Sequence, residues 1–72
     1  MTTRTIPVTI FYTNGTSTTQ RLPVSDNVTR EIDRFRENVK RDWRTYRNLG
    51  VMWFRFQITE QYAEEFSLAS LM

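Results

Sequence analysis

Residues 6–15 read Ile6-Pro7-Val8-Thr9-Ile10-Phe11-Tyr12-Thr13-Asn14-Gly15. Successive side chains of a strand point to opposite faces. Ile6, Val8, Ile10 and Tyr12 therefore share one side of an extended chain, and Pro7, Thr9 and Phe11 share the other. Asn14-Gly15 predicts a two-residue type I′ turn, because both residues tolerate the positive φ it requires. A second strand then runs from about Thr16 to Val24, with Thr18, Gln20, Leu22 and Val24 on one side. The opening is thus a β-hairpin, and its many threonines, branched at Cβ, suit a half-exposed sheet face. Pro7 has no N–H for a ladder, so it is expected at the first residue of its strand or on a sheet edge.

Past the hairpin the apolar spacing changes from two to three and four. Val28, Ile32, Phe35, Val39, Trp43 and Tyr46 draw one stripe along a helix, capped at its start by Ser25 or Asp26. No glycine or proline interrupts before Gly50, a candidate left-handed C-cap. The pattern predicts one helix of about 22 residues, roughly 33 Å long. Alternation returns over Val51–Thr59, with Met52, Phe54, Phe56 and Ile58 on one face and Val51, Trp53, Arg55 and Gln57 on the other. Residues 60–72 carry Tyr62, Phe66 and Ala69 at helical spacing and predict a short C-terminal helix.

The expected fold is α+β, of the form ββαβ(α): a three-stranded sheet with a long amphipathic helix on one face and a short C-terminal helix. The helix stripe would meet Ile6, Val8, Ile10, Leu22, Val24, Phe54, Phe56 and Ile58. A third strand beside the first makes the sheet antiparallel. Beside the second, it makes a parallel crossover. The hairpin, the Leu22-Pro23-Val24-Ser25-Asp26 lead-in and the amphipathic helix resemble the opening of a ubiquitin-like β-grasp domain, over about residues 6–40. The closing Leu68-Ala69-Ser70-Leu71-Met72 lacks the Gly-Gly tail of a conjugating modifier, and the helix is too long, so no function is carried across.

Composition bounds what this fold can do. The chain has 72 residues, enough for a single domain over 1–72 and no second core. It contains no cysteine and no histidine. That removes disulfides and thiolate metal sites, and also the commonest general base and zinc ligand. Glycines stand alone at 15 and 50, so there is no phosphate-cradling loop. The serines have no evident activating base. Glu60 and Glu64, four apart on the expected C-terminal helix, could at most present two carboxylates to a hard cation. The expectation is a protein that is not an enzyme, with no cofactor and no metal. Without an apolar run near 20 residues or a signal-like N-terminus, no membrane role and a cytoplasmic location are expected.

Two surfaces remain as binding candidates. Lys40, Arg41, Arg44 and Arg47 surround the single acid Asp42 near the end of the helix. Bases there complement the helix dipole and can cover apolar surface with their stems. The alternative reading is a ridge that contacts phosphates. Glu37 and Arg41, at i and i+4, are an expected surface ion pair. The second surface is the sheet face away from the helix, where Phe11, Trp53 and Arg55 should point, beside Thr9, Gln57 and Arg21. In one arrangement residues 60–72 fold over it, hiding Trp53 under Phe66 and Leu68. Otherwise it is a docking surface of the residue types enriched at binding hot spots. The helix would also overhang a seven-residue strand, leaving Trp43, Tyr46 and Leu49 to be covered by Tyr62, Phe66, Leu68 and Leu71, or by a second copy. The functional expectation is a small protein–protein interaction module such as a regulator, inhibitor or accessory subunit, in one form a homodimer. The alternative is a nucleic-acid-binding protein using the basic helix end and the aromatic/Arg face. Binding candidates on either reading are Phe11, Arg21, Trp53, Arg55, Arg41, Arg44 and Arg47.

Overall fold

The computed structural model describes residues 4–71. Its elements, in order, are β1 (Arg4–Tyr12), β2 (Ser17–Val24), α1 (Val28–Arg41), α2 (Trp43–Asn48), β3 (Val51–Gln57), β4 (Ala63–Ser67) and a 3-10 turn (Leu68–Leu71). The sheet has four strands rather than three, ordered β2-β1-β3-β4, and every neighbouring pair is antiparallel. The expected C-terminal helix is replaced by β4 and the 3-10 turn. Phe66 and Glu64 carry the reason. They stand two apart on the same face, opposite Phe54 and Phe56, so pairing with β3 buries Phe66 on an aromatic surface that is already made. In a β-grasp the first strand pairs in parallel with the last; here β1 pairs antiparallel with β3, the strand directly after the helices, so the likeness stops at the helix.

The hairpin forms, with a different turn. Tyr12 N donates to Thr16 O at 2.9 Å and Gly15 N to Tyr12 O at 3.1 Å. Gly15 has φ +87°, and among the described residues none other than glycine has positive φ. This is a three-residue loop ending on a left-handed glycine, not the type I′ turn, which would need positive φ at Asn14 as well. Asn14 instead holds the loop with its side chain, whose Oδ1 accepts from Thr16 N at 3.0 Å and from Thr16 Oγ1.

The helix is also shorter than its stripe. Asn27, not Ser25 or Asp26, is the N-cap, its side-chain oxygen accepting from Arg30 N at 3.0 Å. The chain leaves helical geometry at Asp42 (φ −110°, ψ 27°), splitting the expected single helix into 14 and six residues. At 14 residues α1 spans about 21 Å, close to the length of the strands beneath it. The bend then brings Tyr46 edge-on to Phe54, at 5.8 Å, where a straight helix would have run past the sheet. Of the three residues expected to overhang, Trp43 and Tyr46 pack against the core, and only Leu49 stays mostly exposed, at 64%.

All of these elements meet on one side of the sheet. Ile6, Val8, Ile10, Val24, Phe54, Phe56 and Phe66 from the strands are buried with Ile32 and Val39 of α1 and Leu68 of the 3-10 turn. Phe35 stands edge-on to both Phe54 (5.5 Å) and Phe56 (5.2 Å), and Phe66 stacks on the same two rings. The face assignments hold over most of β3 and fail at its start. Phe11 pairs with Trp53 but Tyr12 pairs with Val51, so Met52 is an extra residue in the ladder. The bulge turns Val51 into the core (5% exposed) and leaves Met52 outside (46% exposed), reversing their expected sides.

Pro7 lies in the interior strand β1, neither first in its strand nor on an edge. Antiparallel residues alternate between bonding one neighbour and the other. Tyr12 N bonds β2's side and Thr13 N bonds Gly50 O on β3's side, so Pro7 faces β3. The β1–β3 register runs only from Tyr12 down to Val8, paired with Phe56, and stops before Pro7. The missing N–H thus falls where the ladder has ended. Among the surface ion pairs, the expected Glu37–Arg41 contact is replaced by Asp33–Arg36 at 3.7 Å.

Phe56 is wholly buried, with Phe35 edge-on to it and Phe66 stacked on it. Phe56→Ala is expected to cost about 3–5 kcal/mol, a large part of what a chain this size has. A urea midpoint shifted by less than about 1 kcal/mol equivalent would contradict this packing. Gly50→Ala should cost more than Gly15→Ala. Both have positive φ, but a Cβ at Gly50 would lie 3.2 Å from Thr13 Oγ1, whereas at Gly15 it meets nothing within 4 Å. Equal thermal midpoints for the two variants would refute the close approach.

Candidate functional site: the open face of the sheet

The helices, the 3-10 turn and the core all lie on one face, so the other face has no layer above it. Its composition follows from register. Phe11 of β1 stands between Ser17 of β2 and Trp53 of β3, and Trp53 in turn neighbours Ser67 of β4. The next row reads Thr19, Thr9, Arg55, Glu65. Arg21 pairs with Pro7 in the row beyond. Of the segment expected as a cover for Trp53, β4 instead extends the sheet sideways beside β3, and residue 72 lies outside the described residues. Phe66 and Leu68 turn to the core side, away from Trp53.

Phe11 and Trp53 are stacked, with ring centroids 3.9 Å apart and planes 8° from parallel. Two cross-strand side chains at that spacing and tilt must have their planes roughly perpendicular to the line joining the strands. The rings therefore stand upright on the sheet and present edges outward, as a ridge. Each has one π-face against the other, a contact worth about 0.5–1.5 kcal/mol beyond burial. The outer π-face of each looks over a serine, Ser17 on one side and Ser67 on the other. Around the ridge, Thr9 and Thr19 hydroxyls lie 3.3 Å apart, and Arg21 Nη1 donates a long 3.5 Å bond to Thr5 Oγ1. Arg55 is exposed and makes no ion pair among the described residues, although Glu65 is its cross-strand neighbour.

The seven candidate binding residues divide between two layers. Phe11, Arg21, Trp53 and Arg55 share the open face. Arg41, Arg44 and Arg47 belong to the helices on the other side. There Arg44 and Arg47 each hold their guanidinium 5.8 Å from the Trp43 ring centre. The pair shields an indole that the core only half buries. Arg36 does the same over Phe66 at 5.2 Å. These cation–π covers were not read from the sequence; for Trp43 the signal is an Arg on the same short helix, whereas Arg36 and Phe66 lie on separate elements and give none.

The remaining polar groups are thinly organised. Glu60 and Glu64 are not on one helix: Glu60 lies in the turn before β4 and Glu64 in β4. Glu64 accepts a hydrogen bond from the Tyr62 hydroxyl at 3.0 Å. Among the described residues no group of three or more potential metal ligands occurs, and no polar or charged side chain is buried. Two shallow clefts flank Arg4. One, of about 400 Å³, is bounded by Val24, Ser25 and Asp26. The other, of about 320 Å³, opens where β1 below Val8 parts from residues 57–60. No helix among the described residues is long and apolar enough to cross a membrane. No family model matches the chain, and neither a curated protein nor a solved structure matches it.

The hydrogen bond to Glu64 and then its negative charge both favour the neutral phenol, raising Tyr62 above the usual tyrosine value of 10.0. The stabilisation from this contact is therefore complete below that value and is lost as pH rises through the raised one. Glu64→Gln is expected to bring the Tyr62 transition back toward 10.0 in a tyrosinate absorbance titration. Superimposable curves for the two proteins would rule the contact out.

Proposed function

We propose that the protein is a protein-interaction module that docks a partner on the open sheet face. The partner presents an apolar cleft for the Phe11–Trp53 ridge and carboxylates beside it for Arg21 and Arg55. The stacked, upright ring pair on a face without a covering layer carries this reading. Two large aromatics side by side, flanked by arginines and small hydroxyls, form the combination in which binding energy concentrates. Rims of unpaired arginine add selectivity for an acidic counterpart.

A nucleic-acid surface is less well supported. Base stacking uses a free ring face lying along the sheet, whereas Phe11 and Trp53 spend a face each on one another and stand on edge. Arg44 and Arg47 are engaged over Trp43 and lie on the opposite layer from Arg55. Among the described residues no polar or charged side chain is buried, which favours a binding surface over a catalytic one that depends on desolvated, oriented polar side chains.

The test is affinity capture from a native lysate with nuclease present, comparing the wild type with Trp53→Ala and with Arg44→Gln. The expected result is a protein retained by the wild type and Arg44→Gln and lost with Trp53→Ala. Loss on nuclease treatment, or with Arg44→Gln alone, points to nucleic acid and overturns the proposal.

A further inference from the structure

The sheet ends in two edges of unlike character. On β4 only five residues are available, and Glu65 stands in the middle. On β2 eight residues run Ser17 to Val24, and all but Leu22 and Val24 are exposed. The alternation that orients β1 also orients β2. With Tyr12 N bonded to Thr16 O, residues 16, 18, 20, 22 and 24 bond inward to β1, and Ser17, Thr19, Arg21 and Pro23 turn their backbone outward. Three of those four carry a free N–H. Natural edges are commonly blunted by shortness, a bulge, charged side chains or proline. β2 is eight residues long, its one charge is Arg21, and its proline comes only at residue 23, so Ser17–Gln20 carries none of these devices.

We propose that the β2 edge pairs with the β2 edge of a second copy, antiparallel, about a two-fold axis through Thr19. The occupant is fixed by self-complementarity. In this register Thr19 opposes Thr19, and Ser17 opposes Arg21 in both directions, so each free N–H meets an outward carbonyl. Pro23, which lacks an N–H, falls outside the pairing. A register centred on Arg21 would set two guanidiniums directly opposite. One centred on Gln20 would place Pro23 against Ser17 and lose donors.

The second copy also completes the ridge. Directly opposed residues project to the same face, so Arg21 of the second copy lies beyond Ser17 in the row Ser17–Phe11–Trp53. Ser17 is too small to cover the outer π-face of Phe11. The guanidinium, which among the described residues makes a long bond to Thr5, is within reach of that face. The stack then runs Arg21 of the second copy, Phe11, Trp53, on both sides of the axis. This assignment rests on the β2 edge and stands whether or not the ridge docks another protein.

The chain has no cysteine, so a single introduced one can cross-link only to its counterpart. Paired Thr19 Cα atoms would lie about 5.5 Å apart, within disulfide reach. Thr9, one strand in, would lie about 14 Å from its counterpart, out of reach. The expected result is rapid formation of a disulfide-linked dimer by Thr19→Cys under mild oxidation in native buffer, and slow formation by Thr9→Cys. Sedimentation of the wild type should show a dimer populated below about 1 mM. Thr19→Lys, folded by its tryptophan emission, should weaken it at least tenfold, and Arg21→Gln about fivefold. Equal cross-linking of the two cysteine variants, or a wild type that stays a single chain up to about 1 mM, overturns the proposal. An unchanged dissociation constant in Arg21→Gln overturns the placement of Arg21 on Phe11.

Discussion

The β1–β3 ladder is the constraint from which both faces of this protein follow. Its register sets Val8 against Phe56 and Ile10 against Phe54, building the floor on which α1 and Phe66 pack. The same register, read on the other face, sets Phe11 against Trp53. Because side chains alternate, a slip of one residue would exchange the floor for the ridge. The buried side enforces the register: Phe54, Phe56 and Val8 have no exposure at all, so a slip would strip the core of its largest residues. The exposed stack inherits its geometry from that burial. A surface feature held in place by the core needs little ordering when a partner arrives, which is the condition under which aromatic anchors bind well.

Much of this was legible in the sequence, for identifiable reasons. The inner face of β1, the stripe of α1 and the outward direction of Phe11, Trp53 and Arg55 follow from periodicity alone, over segments where each apolar residue has one place to go. The misreadings lie where a local pattern fits two structures. Tyr62, Phe66 and Ala69 match a helix by spacing, but Glu64 and Phe66 match a strand as well, and an unpaired β3 edge nearby decides the matter. The stripe from Val28 to Tyr46 is continuous in sequence and bent in space, because no residue type announces that Asp42 will leave helical φ and ψ. Val51 and Met52 are both apolar, so their exchange by a bulge leaves no trace in the pattern. Pairing partners, bends and bulges are properties of contacts far apart in the chain, and a window of neighbouring residues does not contain them.

A small chain with a two-layer fold can cover only one face of its sheet. Here every covering element, including the 3-10 turn, goes to the same side. The opposite face carries small polar residues at Thr5, Thr9, Ser17, Thr19 and Ser67. Against that background Phe11 and Trp53 stand out, because threonine or serine would serve solubility equally well at both positions. Their mutual stack lowers the cost of exposure by removing one π-face of each from water. It does not remove the outer faces, and the flanking serines leave these open instead of filling them. A surface under selection for solubility alone would place long side chains there, as the helices do when Arg44 and Arg47 close over Trp43 and Arg36 over Phe66.

The two prolines mark where backbone pairing is given up. Pro7 faces β3 at the point where the ladder ends, and below it the chain opens into the cleft beside residues 57–60. Pro23 faces outward near the end of β2, removing a donor from the last part of that edge. Both sit at the same end of the sheet, far from the Gly15 turn. Pairing at that end is thereby limited on both sides of the β1–β2 ribbon. The stretch of β2 that keeps its donors, Ser17 to Arg21, is the stretch alongside Phe11. An edge left competent beside the aromatic ridge and disabled away from it ties the two surfaces together, since strand pairing there extends the row that holds the rings.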